Sequence, residues 1–217
     1  GNTTLDLQAA RVQILSQDAE AEIGALSAIT NLPHDVRAAP SESSDAVFVV
    51  WDIGGGSMQM FANEKKGEAT QHHLYTGDLA SVTFKNQVLR ELKKKDPSTV
   101  KSPNPLGKDR IKAVSIARAH AKKNVPEIFK KSGNQATWIG IGGVLAISVA
   151  KQVEKEGLSP NSSFFTDSAL AKTLEARANR KDEEIESEYR ETEITNLALV
   201  LGYMQELGIK RVETVEA

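Results

Sequence analysis

The stretch between residues 46 and 60, AVFVVWDIGGGSMQM, constrains the fold more than any other part of this chain. Its apolar run, Val47 to Trp51, is typical of a strand that is buried on both faces. Asp52 ends the run, three glycines follow, and an extended pattern resumes at Ser57. A strand, a glycine turn and a second strand predict a β-hairpin.

The turn of this hairpin has the composition of an anion-binding loop. Gly54, Gly55 and Gly56 let the backbone approach a ligand closely and direct successive N–H groups toward one point, which suits a phosphate. Asp52 supplies a carboxylate that can hold a divalent cation or orient a water molecule. The alternative is a plain tight hairpin in which Asp52 caps the turn.

A second glycine turn lies in the stretch ATWIGIGGVLAISV, residues 136–149. Trp138 to Ile141 is expected to form a strand, and Leu145 to Val153 a helix. Gly142 and Gly143 lie between them. A glycine turn that leads into a helix N-terminus can bind an anion or a nucleotide. Close packing of the helix on the strand is the alternative reason for these glycines.

Composition excludes several classes of site and partner. The 217 residues include no cysteine, which excludes disulfides, thiolate metal sites and a cysteine nucleophile. A formal net charge of −2 gives no indication of a nucleic-acid partner, and no apolar stretch approaches the length of a membrane span. His72 and His73 are adjacent on a predicted strand and point to opposite faces, which argues against a shared metal.

The remaining patterns predict an α/β layout. A helix is expected from Ser16, and its first turns hold Glu20 and Glu22, where carboxylates complement the helix dipole. A Pro- and Ser-rich loop precedes the hairpin. Further expected elements are a strand at 70–75, helices from Gly77, from about Asp109, over 162–180 and around 194–204, and a closing strand at 209–215. This order is compatible with the ribonuclease-H-like half of an actin-type ATPase.

Four segments, taken together and in order, resemble the exopolyphosphatase/guanosine pentaphosphate phosphatase (Ppx/GppA) family of the actin-like ATPase superfamily. They are ILSQDAEAEIGAL, VVWDIGGGSMQM, WIGIGGVLAIS and TNLALVLGYMQELGIKRVETV. The resemblance implies a ribonuclease-H-like domain at 46–217, with a mixed sheet that starts antiparallel and helices on both faces. Residues 1–30 would end a first domain or form an interdomain helix, and 31–45 a loop. The rest of that first domain would precede Gly1.

The resemblance also implies a chemistry and its residues. It implies Mg²⁺-assisted hydrolysis of inorganic polyphosphate or guanosine pentaphosphate by a cytoplasmic enzyme. Glu20 matches the glutamate that acts as general base on the attacking water, and Asp52 matches a carboxylate near the Mg²⁺. The phosphate-binding positions are the two glycine turns, Gly54 to Ser57 and Gly142 to Gly143. The implied partners are the substrate and the first domain, with neither nucleic acid nor membrane; a homodimer stays open.

The chain departs from the family pattern at several of these positions. Ala19 stands where the first of two paired glutamates is expected, and Gln17 replaces the usual glycine. Gln59 replaces a common glutamate, so a neutral amide would weaken cation binding there, and Val144 removes a hydroxyl from the second turn. Two alternatives therefore stay open: a binding or sensing protein without turnover, and another ATPase of the superfamily, such as a sugar kinase.

Overall fold

The structure, a computed structural model, describes residues 48–66, 69–133 and 135–215. The expected helix from Ser16, with Ala19, Glu20 and Glu22, lies outside these ranges, as does the expected loop at 31–45. The domain boundaries proposed for the first 45 residues therefore stay predictions.

Six strands of the described ranges form one mixed sheet with the order β3-β2-β1-β4-β6-β5. Their bounds are β1 Phe48–Ile53, β2 Met58–Lys66, β3 Ala69–Gly77, β4 Thr137–Ile141, β5 Phe164–Thr166 and β6 Arg211–Thr214. The first three strands pair antiparallel, β4 is parallel to β1, and β6 is parallel to β4. The predicted hairpin and the antiparallel start of a mixed sheet are confirmed.

Helices connect the later strands. They are α1 Ser81–Glu91, α2 Asp109–Asn124, α3 Glu127–Ser132, α4 Ala150–Lys155, α5 Asp167–Arg177 and α6 Arg190–Leu207, with a π-helical segment at Gly143–Val149 and a 3₁₀ turn at Asp182–Glu184. The central helix is α6, which contacts α1, α2 and α5 and ends at Gly208 in the left-handed conformation. Within the described ranges, none of the helices combines the length and the apolar character that a membrane span requires.

Three predicted elements need correction. The helix expected from Gly77 begins at Ser81, because Gly77 is the last residue of β3. The helix expected over 162–180 is wrong at its start, because Phe164–Thr166 forms the edge strand β5 and the helix begins at Asp167. The fully buried Phe165 pairs with Val212 of β6, so long-range pairing decides the conformation of a segment too short to show a strand pattern. The helix expected from Leu145 begins at Gly143 and is π-helical before it becomes α-helical.

Successive side chains of β1 divide between two faces of the sheet. Val49, Trp51 and Ile53 belong to the main core, to which all six helices contribute. On the other face, a smaller apolar cluster comes from β1, β2 and β4 and from the residue that follows β6; it consists of Val50, Phe61, Ile139, Ile141 and Val215. The described helices thus cover one face. Helices on the second face stay a prediction, since the helix expected from Ser16 is not among the described residues.

Candidate phosphate-binding site

The two predicted glycine turns lie side by side at one edge of the sheet. β1 and β4 are parallel neighbours, and Asp52 is in register with Ile141. The first turn, Gly54 to Ser57, and the second turn, Gly142 to Gly143, therefore leave the sheet at the same level. The edge formed by the carboxyl ends of parallel strands is where α/β sheets commonly bind ligands. The fold has thus brought together two motifs that are about ninety residues apart in the sequence.

The first turn is held partly by its own hairpin and partly by α1. The Gly54 N–H donates to the Ser57 carbonyl over 2.9 Å. The carbonyls of Gly54 and Gly55 accept hydrogen bonds from the N–H groups of Ser81 (3.1 Å) and Val82 (2.8 Å) at the start of α1. One N–H of the expected anion nest is therefore used inside the hairpin. The N–H groups of Gly55 and Gly56 make no hydrogen bond within the described part of the chain.

The fold itself does not require glycine in the first turn. None of its three glycines has a positive φ. An added Cβ would lie 3.5 Å from the nearest atom at Gly54 and 3.6 Å at Gly55, and at Gly56 it would meet nothing within 4 Å. All three glycines are exposed. What these glycines provide is open access to the backbone N–H groups, which is what a closely approaching ligand needs.

The second turn contains one glycine that the fold requires. Gly142 has a φ of 77°, and a Cβ there would collide with the Asp52 carboxylate. Its neighbour Gly143 begins the π-helical segment, is exposed, and has open space around it. The expected glycine turn before a helix is confirmed, and its first residue also accommodates the side chain of Asp52.

A cleft of about 430 Å³ lies between the two turns, within the size range of small-molecule sites. Gly54 and Gly55 form part of one wall, and Gly143 and Val144 part of the other. Most of its remaining lining is apolar or weakly polar, and three side chains that line it rank among the exposed large hydrophobic residues of the described ranges: Val82, Ile147 and Tyr189.

Asn196 of α6 connects the two turns beneath the cleft. It is buried, and its Oδ1 accepts a hydrogen bond from Ser81 Oγ (2.8 Å) while its Nδ2 donates to Ser148 Oγ (3.2 Å). Ser81 begins the helix that holds the first turn, and Ser148 lies in the segment that follows the second. Sequence analysis missed all three residues. The sequence shows only that an amide, Asn196, occupies a position of an apolar helix where a buried residue is expected. That pattern does not indicate which residues the amide contacts.

Glu193, one helical turn before Leu197, brings a carboxylate to the wall of the cleft. Burial raises its pKa, and the opposing influences are a hydrogen bond from Ser187 Oγ (3.1 Å), the nearby charges of Arg177 and Lys155, and a hydrogen bond with Ser148. This carboxyl therefore holds its proton to higher pH than an exposed glutamate does.

The residues proposed for Mg²⁺ lie beside the first turn. Asp52 and Gln59 are direct cross-strand partners on β1 and β2. Gln59 Nε2 donates to Ser57 Oγ over 3.1 Å. One carboxylate and one amide oxygen are suitable ligands for Mg²⁺, which usually takes few protein ligands and completes its shell with water and substrate phosphate. Among the described residues there is no cluster of three or more histidine or acidic side chains that could hold a metal ion.

Solved structures with the same fold include exopolyphosphatases, whereas no family model matches the chain. An exopolyphosphatase-like protein superposes with a TM-score of 0.60 at 13% identity, covering 96% of this chain and 65% of that one. The Ppx/GppA phosphatase of Aquifex aeolicus superposes with a TM-score of 0.52 at 13% identity, covering 81% of this chain and 55% of that one. A further structure of the Aquifex aeolicus family member gives a TM-score of 0.51 at 15% identity.

Curated relatives point elsewhere. Thymidylate kinases of two strains of Prochlorococcus marinus are 29% and 28% identical over 120 residues, which is 48% of this chain and 54% of theirs. The chain thus spans about half the length of these relatives. Its 217 residues contain no Gly-x₄-Gly-Lys-Ser/Thr motif, the glycine-rich loop with which P-loop enzymes bind phosphates. The structural likeness covers much more of the chain, and it establishes the fold: this chain has the mixed α/β fold of the Ppx/GppA exopolyphosphatase structures.

Proposed function

We propose that the full-length protein is a phosphoanhydride hydrolase that releases phosphate from inorganic polyphosphate or guanosine pentaphosphate. The observation that carries this proposal is the meeting of two glycine turns at one cleft, on a fold shared with exopolyphosphatases. Phosphoryl transfer spreads negative charge over the phosphoryl oxygens, and fixed N–H donors stabilise that charge without reorganising.

Each part of the site has a role in this proposal. The N–H groups of Gly55, which lines the cleft, and of the neighbouring Gly56 bind phosphoryl oxygens. Gly143 presents the start of the π-helical segment to the cleft. Asp52 and Gln59 would hold Mg²⁺, which when bound neutralises charge on the phosphate groups. Glu20, matched by its motif and lying outside the described residues, positions the attacking water.

A second candidate function is phosphate or nucleotide binding without turnover. Two observations favour it. Gln59 stands where a carboxylate would bind a cation more strongly, and its amide already donates to Ser57. Val144, which lines the cleft at the second turn, brings no hydroxyl to that turn.

Phosphate release by the full-length protein tests the proposal. Polyphosphate and guanosine pentaphosphate are supplied separately with Mg²⁺, and wild type is compared with Glu20→Gln and with the matched control Glu22→Gln. If Glu20 is the general base, Glu20→Gln should lower turnover by roughly a hundredfold to ten-thousandfold, with a smaller change in substrate binding. The control should retain wild-type turnover.

Equal activities of the two variants would contradict the role of Glu20. Wild-type protein that binds either substrate but releases no phosphate would contradict the hydrolase and select the binding function.

A further inference from the structure

The strand β3 forms one edge of the sheet. Its nine residues, ATQHHLYTG, include no Lys, Arg, Asp, Glu or Pro, although 26% of the whole chain is charged, and its register with β2 contains no bulge. Native proteins usually protect long edge strands with charged side chains, proline or a bulge, because unpaired backbone groups accept further strands. The opposite edge, β5, has only three residues. The edge at β3 is therefore the one suited to pairing with another strand.

The hydrogen bonds of the β1–β2 hairpin determine which backbone groups of β3 point outward. The Gly54 N–H donates to the Ser57 carbonyl, so these opposed residues form a hydrogen-bonded pair. Because such pairs alternate along an antiparallel ladder, odd-numbered residues of β2 bond to β1 and even-numbered residues bond to β3. Each even-numbered residue of β2 is in register with an odd-numbered residue of β3. The even-numbered residues of β3 therefore direct their N–H and C=O groups away from the sheet.

These outward-directed residues include His72, Leu74 and Thr76. Within the described part of the chain, their backbone N–H and C=O groups make no hydrogen bond. His72 and Thr76 are exposed, and Leu74 is half-buried. The edge therefore presents alternating backbone donors and acceptors to solvent, which is the arrangement that an added strand pairs with.

An apolar row of side chains ends at this edge. Its members are successive register partners across β4, β1, β2 and β3: Ile139, Val50, Phe61 and Leu74. The first three belong to the smaller apolar cluster, and Leu74 packs against that cluster while it stays partly exposed. An added strand with an apolar side chain opposite Leu74 would extend the row and cover its exposed end.

We propose that β3 pairs with β3 of a second copy of this chain, antiparallel and centred on Leu74. A two-fold axis at that residue places Leu74 opposite Leu74 of the second copy and His72 opposite Thr76, so that each outward N–H and C=O group meets an outward group. The two leucines continue the apolar row, and no acidic or lysine and arginine side chains oppose one another, since the strand has none. The edge is thus complementary to itself, and the dimer joins two sheets into one.

Sedimentation velocity of the full-length protein at increasing concentration tests the pairing. Wild type should form a dimer whose share rises with concentration. Thr76→Lys places a hydrated charge at the edge and keeps the outward backbone N–H, so it should raise the dissociation constant of the dimer about tenfold or more. The matched control Thr99→Lys, at an exposed position between α1 and α2, should leave the dissociation constant unchanged.

Introduced cysteines test the register of the two strands. The chain has no cysteine, so a single introduced one can form a disulfide only with another copy. Hydrogen-bonded pairs have Cα atoms about 5.5 Å apart, within the roughly 4.4–6.8 Å that a disulfide spans. Under mild oxidation Leu74→Cys should give a covalent dimer, whereas Ser115→Cys, at an exposed position of α2, should not. A mixture of His72→Cys and Thr76→Cys should cross-link more than either variant alone.

A wild-type protein that stays monomeric at every concentration would overturn the inference. A dimer that Thr76→Lys leaves unchanged would overturn it as well, because that dimer would use another surface. Equal disulfide yields for Leu74→Cys and Ser115→Cys would contradict the register. Slow hydrogen exchange of the Leu74 and Thr76 amides in a monomer would instead assign the edge to a segment of the same chain, and would also overturn the pairing of two copies.

Discussion

The two glycine turns have the same position in the fold but depend on glycine for different reasons. In the second turn, Gly142 is in the left-handed region and its missing Cβ makes room for the Asp52 carboxylate. In the first turn, none of Gly54, Gly55 and Gly56 has a positive φ, and a Cβ at any of them would meet no close contact. Glycine is thus required by the protein at one turn and permitted by it at the other.

This difference separates structural from functional glycines without reference to any relative. A glycine that the backbone conformation requires, such as Gly142, gives no evidence for a ligand, because replacing it would disturb the fold of the site in any case. Three consecutive glycines that the fold does not require lower stability through backbone entropy and need another explanation. A phosphate that approaches the N–H groups of Gly55 and Gly56 provides one.

Gly142→Ala should produce the largest loss of stability among the changes considered at the site. The added Cβ disfavours the left-handed backbone at this position and collides with the Asp52 carboxylate. Together the two effects should lower the free energy of unfolding by about 2–4 kcal/mol. The measurement is the free energy of unfolding in urea. Gly143→Ala is the matched control, with open space at its Cβ, and should change stability by less than about 1 kcal/mol. Equal losses at the two positions would remove the distinction between them.

Asn196→Ala should produce the second-largest loss of stability. The substitution leaves the buried Ser81 hydroxyl without its acceptor and removes a donor from Ser148, which should cost about 1–3 kcal/mol. Because Asn196 joins the supports of both turns, amide signals of Gly55 and of Gly143 should shift together in the variant. Ser115→Ala, an exposed serine that bonds only within its own helix, is the control and should leave both the stability and these signals unchanged. A shift confined to one turn would show that Asn196 does not couple them.

Local sequence patterns predicted the parts of the fold that local interactions determine. The run from Val47 to Trp51 and the glycines after it were sufficient for the β1–β2 hairpin, and the apolar spacing around Leu197 with Gly208 predicted the last helix and its end. That the two turns are neighbours was not predicted, because nothing in either motif indicates which strands are adjacent.

The rest of the site depends on contacts between distant residues. Ser81 and Asn196 are 115 positions apart and lie on two helices, so no local pattern relates them. The hydrogen bond from Gln152 of α4 to the Glu193 carbonyl of α6 likewise joins residues 41 positions apart. The strand β5 was missed for a similar reason, since its three residues acquire their conformation from β6.

A smaller effect concerns pH and the wall of the cleft near the second turn. Because burial raises the pKa of Glu193 above its ordinary value of 4.5, the folded state holds this proton to higher pH than the unfolded state does. The free energy of unfolding should therefore fall as pH rises from about 4.5 through the raised pKa. Glu193→Gln should remove this contribution to the pH dependence of the free energy of unfolding, and at pH 8 it should be more stable than wild type. Glu154→Gln, at an exposed position of α4, should follow the wild-type curve. A curve for Glu193→Gln parallel to that of wild type would contradict a raised pKa of the Glu193 carboxyl in the folded state.

The most direct test of the functional assignment of the first turn is the pyrophosphate affinity of Gly56→Ala in the full-length protein, measured by titration calorimetry beside its free energy of unfolding. A methyl group at Gly56 meets no protein atom within 4 Å, so stability should change by less than about 1 kcal/mol. If phosphate approaches this backbone closely, the same methyl group should obstruct it and weaken binding by about tenfold or more. Unchanged affinity together with unchanged stability would contradict the account, because the glycines of the first turn would then serve neither the fold nor a ligand.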